Sequence, residues 1–199
     1  MEKKKIKLSD YILPANPFNG FIKDCNDCQH AMPQKVKYYK LSFLEKIKEM
    51  EEKITKGEDV YNNALLVGNA FYNASYFGSI RAFYYNRIIG EYGLGVSQEN
   101  QEVLLGMGNA KKYYLLAQKH ATTDEQKAKM AYLLAKIERN EFYIQTYFSK
   151  PDNYWQGAWN DEIVFKDWKG FQELRNKYRH TQYYKEVIRE CGYFRKTIK

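Results

Sequence analysis

Apolar residues that recur every three or four positions constrain this chain more than any other feature. From Gln34 the series Val36, Tyr39, Phe43, Ile47, Met50 and Ile54 marks one side of a helix of about five turns, with Lys, Glu and Ser opposite. Gly57 is placed to end it, and Asp59 to cap the next helix, which includes "YNNALLVGNAFYNASYF". Gly78 offers a left-handed stop, after which "SIRAFYYNRII" reads as a helix turning back, closed by Gly90. A long helix is expected from near residues 99–102 through "VLLGMGNAKKYYLLAQKHA". Thr123 or Asp124 caps another, "EQKAKMAYLLAKIERNEFYIQTYF", with Ala128, Ala131, Leu134, Ala135 and Phe142 on its inner face. "FKDWKGFQELRNKY" and "TQYYKEVIRECGYFRKTI" make a final hairpin. These segments carry no strand period, so the fold class is all-α.

The helical period is missing at the head of the chain. Residues 1–34 read as an irregular arm, because Pro14, Pro17, Pro33, Asn16, Asn19 and Gly20 break helices. The short stretches "YILP" and "FNGFI" are expected to lie against the helices that follow. Residues 35–199 form the helical domain. Within it "GEYGLGVSQEN" is a Gly-rich connection. It is not a phosphate loop, since no Gly-Lys-Ser/Thr follows and no strand precedes. The connection "PDNYWQGAWNDEIV" holds Trp155 and Trp159. A long aromatic loop of this kind is either functional or pinned to the core.

At 199 residues the chain can bury a sizeable core without disulfides, and its three cysteines argue against a closed disulfide framework. The net charge of +8 is uneven: +4 over residues 1–56, −2 over 57–164 and +6 over 165–199. A basic end attracts phosphates or acidic partners, but no nucleic-acid-reading motif accompanies it, so it reads as a solubilising surface. The opening lysine run has no apolar segment behind it and does not read as a signal peptide. No stretch has the uninterrupted apolar length that spans a bilayer.

Small and aromatic residues alternate along the helices. Val67, Gly68, Asn69, Ala70, Phe71 and Tyr72 run together, and Ala110, Tyr114 and Ala117 recur at four and three residues. Small residues let helices approach closely while large rings fill the groove beside them. This pattern resembles the tetratricopeptide-repeat family over about residues 60–195. The first hairpin departs from it, because Ile80 and Arg87 stand where alanines are usual. Phe171, Leu174, Tyr178, Tyr184, Val187 and Gly192 look like repeats of bacterial envelope lipoproteins, with His180 and Thr181 where a proline is usual. The resemblance implies stacked antiparallel helical hairpins in an α-α superhelix. It also implies a longer parent protein attached to the bacterial cell envelope.

Chemistry-bearing residues are few. Cys25, Cys28 and His30 form a Cys-x-x-Cys-x-His run. Its two-residue gap lets both thiolates face one ion, so a structural zinc clamp is one reading. A fourth ligand would come from Cys191, His120, His180, Asp24 or Asp27. A loop with buried thiols and a redox pair are the other readings. Gln29 follows the second cysteine, which excludes covalent haem attachment. His120 and His180 read as helix-end and turn residues, and Glu138 and Glu141 as a charged face. No serine-nucleophile motif or His-Glu-x-x-His helix occurs, so no catalytic residue is assigned and no cofactor is required.

Tyr72, Tyr76, Phe83, Tyr84, Tyr113 and Tyr114 are the candidate lining of a concave groove for a protein or peptide, with about two in three of these rings expected in the core. The function expected from the sequence is therefore a non-catalytic binding scaffold. The alternative is a metal-binding protein or metal-dependent enzyme built on Cys25, Cys28 and His30.

Overall fold

Helix α1 (Lys40–Thr55) starts where the Tyr39 N–H donates to Ser42 Oγ at 2.9 Å, and it turns Phe43, Ile47 and Met50 into the core. In the computed structural model, residues 12–20, 22, 35–80, 105–148 and 167–198 are described. The helix begins later than its apolar period suggests: Val36 precedes it and is exposed, and Tyr39 is its N-cap. Gly57 ends it at φ +76°, a left-handed conformation that glycine adopts without steric cost.

Helix α2 (Val60–Ala74) follows a tight reversal. Asp59 holds the N-cap position with φ 40°, but its carboxylate accepts from Asn62 Nδ2 instead of a backbone amide. The helix is buried over most of its circumference. It stops at extended Ser75, so Gly78 is not a left-handed stop. Gly78 is needed for close approach: a Cβ there would lie 2.2–2.3 Å from the backbone of Asn73 and Tyr72.

Helix α3 (Gly108–Lys119) packs on α2. The expected helix through residues 99–119 is broken before it, since Gly106 and Met107 are not helical. Gly68 of α2 meets the Tyr114 ring, where an added Cβ would come within 2.5 Å of the ring carbons. A small residue here lets the two axes close up.

Helix α4 (Asp124–Tyr143) opens on a capping box: Thr123 Oγ1 accepts from the Gln126 N–H, and Gln126 Oε1 accepts from the Thr123 N–H. It continues through a π-helical turn over Ile144–Phe148. Ala128, Ala131 and Ala135 are buried as expected, whereas Leu134 and Phe142 are half-buried.

Helices α5 (Lys169–Lys177) and α6 (Gln182–Glu190) both pack on α4, and α7 (Gly192–Lys196) packs on α6. Thr181 caps α6 by accepting from the Tyr184 N–H. One apolar core runs from Leu13 in the arm to Phe194 in α7. The described residues are all-α, with a single isolated bridge between Ile12 and Tyr39. Among them, no helix is long and apolar enough to cross a membrane.

Candidate functional site

Backbone that is neither helix nor sheet must find partners for its carbonyls when it is buried. The arm solves this through side chains of α2 and α4. Asn73 Nδ2 donates to the carbonyls of Pro17 (2.9 Å) and Asn19 (2.8 Å), and Asn69 Nδ2 donates to that of Phe18 (3.0 Å). Tyr132 of α4 donates to the Ile22 carbonyl at 2.6 Å. Asn69 and Asn73 stand one helical turn apart and are each only 4 % exposed. Their oxygens are also used: Tyr114 donates to Asn69 Oδ1 at 2.9 Å, and Ser79 donates to Asn73 Oδ1 at 3.3 Å. The sequence reading missed these two asparagines. The signal was polar residues at a four-residue step on an otherwise apolar helix face.

The arm itself is a turn. Asn16 Oδ1 accepts from the Phe18 N–H at 3.0 Å, and its carbonyl accepts from the Asn19 N–H at 3.3 Å. Proline and asparagine suit these positions by fixed φ and by side-chain mimicry of a turn bond. Phe18 then sets its ring edge-on to Tyr38 at 5.1 Å and beside Phe43 at 5.8 Å.

A second polar group lies deeper. Arg139 donates to Asn140 Oδ1, and Asn140 Nδ2 donates to the Tyr72 hydroxyl at 3.2 Å. The Lys136 ammonium sits 4.6 Å from the centre of the Tyr72 ring and 6.0 Å from that of Tyr132. Lys136 is 5 % exposed. Burial holds its amine down at about 8, and burial also pushes the Tyr72 phenol up.

At the surface, α2, α4 and α6 enclose a cleft of about 340 Å³. Tyr61 and Leu65 come from α2, Glu125 and Lys129 from α4, and Tyr183 and Glu186 from α6. Glu125 accepts from the Gln182 N–H (2.6 Å) and the Tyr183 N–H (3.0 Å), so it caps α6 from outside. The Lys129 ammonium lies 5.4 Å from the centre of the Tyr183 ring. The cleft thus has aromatic and aliphatic walls and a rim of both charges.

Of the six rings expected along a groove, four lie among the described residues and three of those are in the core. Tyr72, Tyr113 and Tyr114 are buried, and Tyr76 is half-buried. Tyr113 donates to the Glu51 carboxylate and stacks on Phe71. The reason is close helix approach: the Tyr114 ring beside Gly68 fills the space between α2 and α3 instead of facing outward. Phe83 and Tyr84 lie outside the described residues, as do Cys25, Cys28, His30, Trp155 and Trp159. Cys191 is buried, and its Sγ accepts from the Phe194 N–H at 3.4 Å.

Of the other expected ligands and carboxylates, His180, Glu138 and Glu141 tie elements together, and Asp24 and Asp27 lie outside the described residues. His180 Nε2 lies 2.9 Å from Asp124, and His120 is the exposed C-cap of α3. Glu138 accepts from the Lys169 N–H, and Glu141 pairs with Lys111. Among the described residues, no group of three or more His, Cys, Asp and Glu could hold a metal ion. At the basic C-terminal end, Arg175 pairs with Asp167, Lys177 with Glu173 and Arg189 with Glu190. Comparison with protein-family models, curated proteins and solved structures returned no match.

Proposed function

We propose that this chain is a non-catalytic scaffold that binds a protein or peptide on a stack of tetratricopeptide-like helical hairpins. The observation that carries this reading is the cleft between α2, α4 and α6. Its Tyr61, Leu65 and Tyr183 walls suit apolar side chains, and Lys129 and Glu186 at the rim suit a segment carrying both charges. The consecutive packing of α1 on α2, α2 on α3 and α3 on α4 supports the hairpin stack.

Selection of displayed peptides against the full chain tests it. Enriched peptides should bind with affinities that fall about tenfold in Lys129→Glu and in Asn62→Trp, the second of which fills the cleft. Absence of saturable binding, or equal binding by both variants, would overturn the reading. A structural zinc held by Cys25, Cys28 and His30 is a separate proposal that rests on their spacing. Stoichiometric zinc in purified protein, lost in Cys25→Ser, is its expected result.

A further inference from the structure

Asn19 is the one asparagine in the sequence that precedes a glycine. The backbone nitrogen after an asparagine can attack its side-chain amide, and glycine puts no Cβ beside the five-membered ring that forms. Folding normally prevents this. Asn69, Asn73 and Asn140 lie inside helices, where the next N–H is bonded to the preceding turn. Asn16 precedes Pro17, whose nitrogen has no hydrogen to give up. At Asn19 neither protection operates. Asn19 is half-buried and Gly20 is exposed, so base and water reach them. Among the described residues, the Asn19 side-chain amide and the Gly20 N–H have no hydrogen-bond partner.

The bond that Asn19 does accept acts in the same direction. Asn73 Nδ2 donates to the Asn19 carbonyl at 2.8 Å. That carbonyl and the Gly20 N–H belong to one conjugated peptide group, so the bond draws electron density from the nitrogen and makes its proton more acidic. The same donor steadies negative charge on this oxygen when water adds to its carbon.

From these observations we infer that Asn19 is a site of spontaneous modification: it deamidates through a succinimide, and Asn73 directs the ring to open as isoaspartate. Base removes the Gly20 N–H proton, the nitrogen bonds to Asn19 Cγ, and the Cγ–Nδ2 bond breaks with loss of ammonia. Water then adds to one of the two ring carbonyls. Addition at the main-chain carbonyl, the one bonded by Asn73, breaks its bond to the Gly20 nitrogen. The main chain then runs through Cβ and Cγ, one carbon longer, and the released α-carboxylate takes the place of the carbonyl that faced Asn73. Hydroxide and water are the only reagents, and no electrons are transferred.

The test incubates the full chain at mildly alkaline pH, folded and, in parallel, unfolded in guanidinium. Mass spectrometry of the digested chain reads the exchange of NH2 for OH, and chromatography separates the isoaspartate peptide from the aspartate one. The folded chain should convert Asn19 and leave Asn69, Asn73 and Asn140 intact. Conversion should quicken about tenfold per pH unit, as the fraction of amide anion does. Gly20→Ala should slow it at least about tenfold by crowding the ring. Asn73→Leu should lower the ratio of isoaspartate to aspartate about fivefold, the worth of one hydrogen bond.

A folded chain that keeps Asn19 intact while the unfolded chain converts it would overturn the site. A product ratio that Asn73→Leu leaves unchanged or raises would overturn the part given to Asn73. Should Asn73→Leu not fold, Asn73→Asp replaces it under the same criteria, since a carboxylate of nearly the same shape offers no donor.

Discussion

The arm and the C-terminal helices α5 and α6 are both laid against the central helices, yet they are held in different ways. Among its described residues the arm has no repeating backbone bonds of its own. Its carbonyls are met by buried amides of Asn69 and Asn73 and by the Tyr132 hydroxyl. Helices α5 and α6 satisfy most of their own backbone, so they need only apolar contact and attention to their ends. Tyr132 stacks on Phe171, whose ring meets Phe194 edge-on, and Gly170 presses directly onto α4. The exposed starts of α5 and α6 are met by Glu138 and Glu125. Irregular chain thus adds to its buried Leu13, Ala15, Phe18 and Ile22 a set of polar side chains from other elements that satisfy its backbone. Regular chain is attached through packing, with polar groups at its ends.

The largest expected effect breaks the packed attachment. A Cβ at Gly170 would lie 2.1 Å from the Ala131 carbonyl oxygen, a backbone atom that cannot step aside. Gly170→Ala should cost about 3 kcal/mol, seen as a fall of about 10 °C in thermal unfolding. Faster hydrogen exchange in α5 and α6, with the arm unchanged, would mark it as a local effect.

Next is what the two attachments share. Lys136 lies on α4 against Tyr132, which serves both of them. Its folded amine titrates at about 8, below the usual lysine value. Above pH 8 the unfolded chain keeps a proton that the folded chain has released, so stability should rise with pH. From pH 8 to 9.5 the gain should be about 2 kcal/mol by urea unfolding, and Lys136→Met should abolish it. Above about pH 10 the trend reverses. Burial pushes Tyr61 and Tyr113 up to about 12, so the unfolded chain loses those protons first.

The arm is the third target. Asn73→Leu leaves two carbonyls without their donor and should cost about 2 kcal/mol. Protection of residues 13–19 in hydrogen exchange should fall, while that of α5 and α6 stays. The smallest change separates the two duties of Tyr132. Tyr132→Phe keeps the stack on Phe171 and loses only the bond to Ile22, about 1 kcal/mol. Combined with Asn73→Leu it should be non-additive, since both hold the arm, and with Gly170→Ala nearly additive. Equal coupling in both pairs would end the distinction between the two attachments.

Local signals were legible wherever one stretch of chain decides its own conformation. Thr123 and Gly57 act at the helix ends where the sequence places them, whereas the Thr181 cap and the Gln126 half of the capping box went unread. Gly68 was legible as a point of close approach. Gly78 was not, because glycine serves both left-handed turns and tight contacts, and only the neighbouring Asn73 backbone distinguishes them. Glu138 reads as a charged face, yet it caps a helix thirty-one residues away in the chain. The tyrosines were hardest, since a ring with an apolar body and a polar tip fits a groove or a core equally well.

By itself the sequence determined the all-α class of the described residues and the irregular course of residues 12–20, because helical period, caps and breakers act over a few residues. Only the tertiary structure decided which rings are buried, which carboxylates close other helices and which amides hold the arm. Those outcomes depend on groups far apart in the chain meeting at a few ångströms, and residue type alone does not encode the meeting.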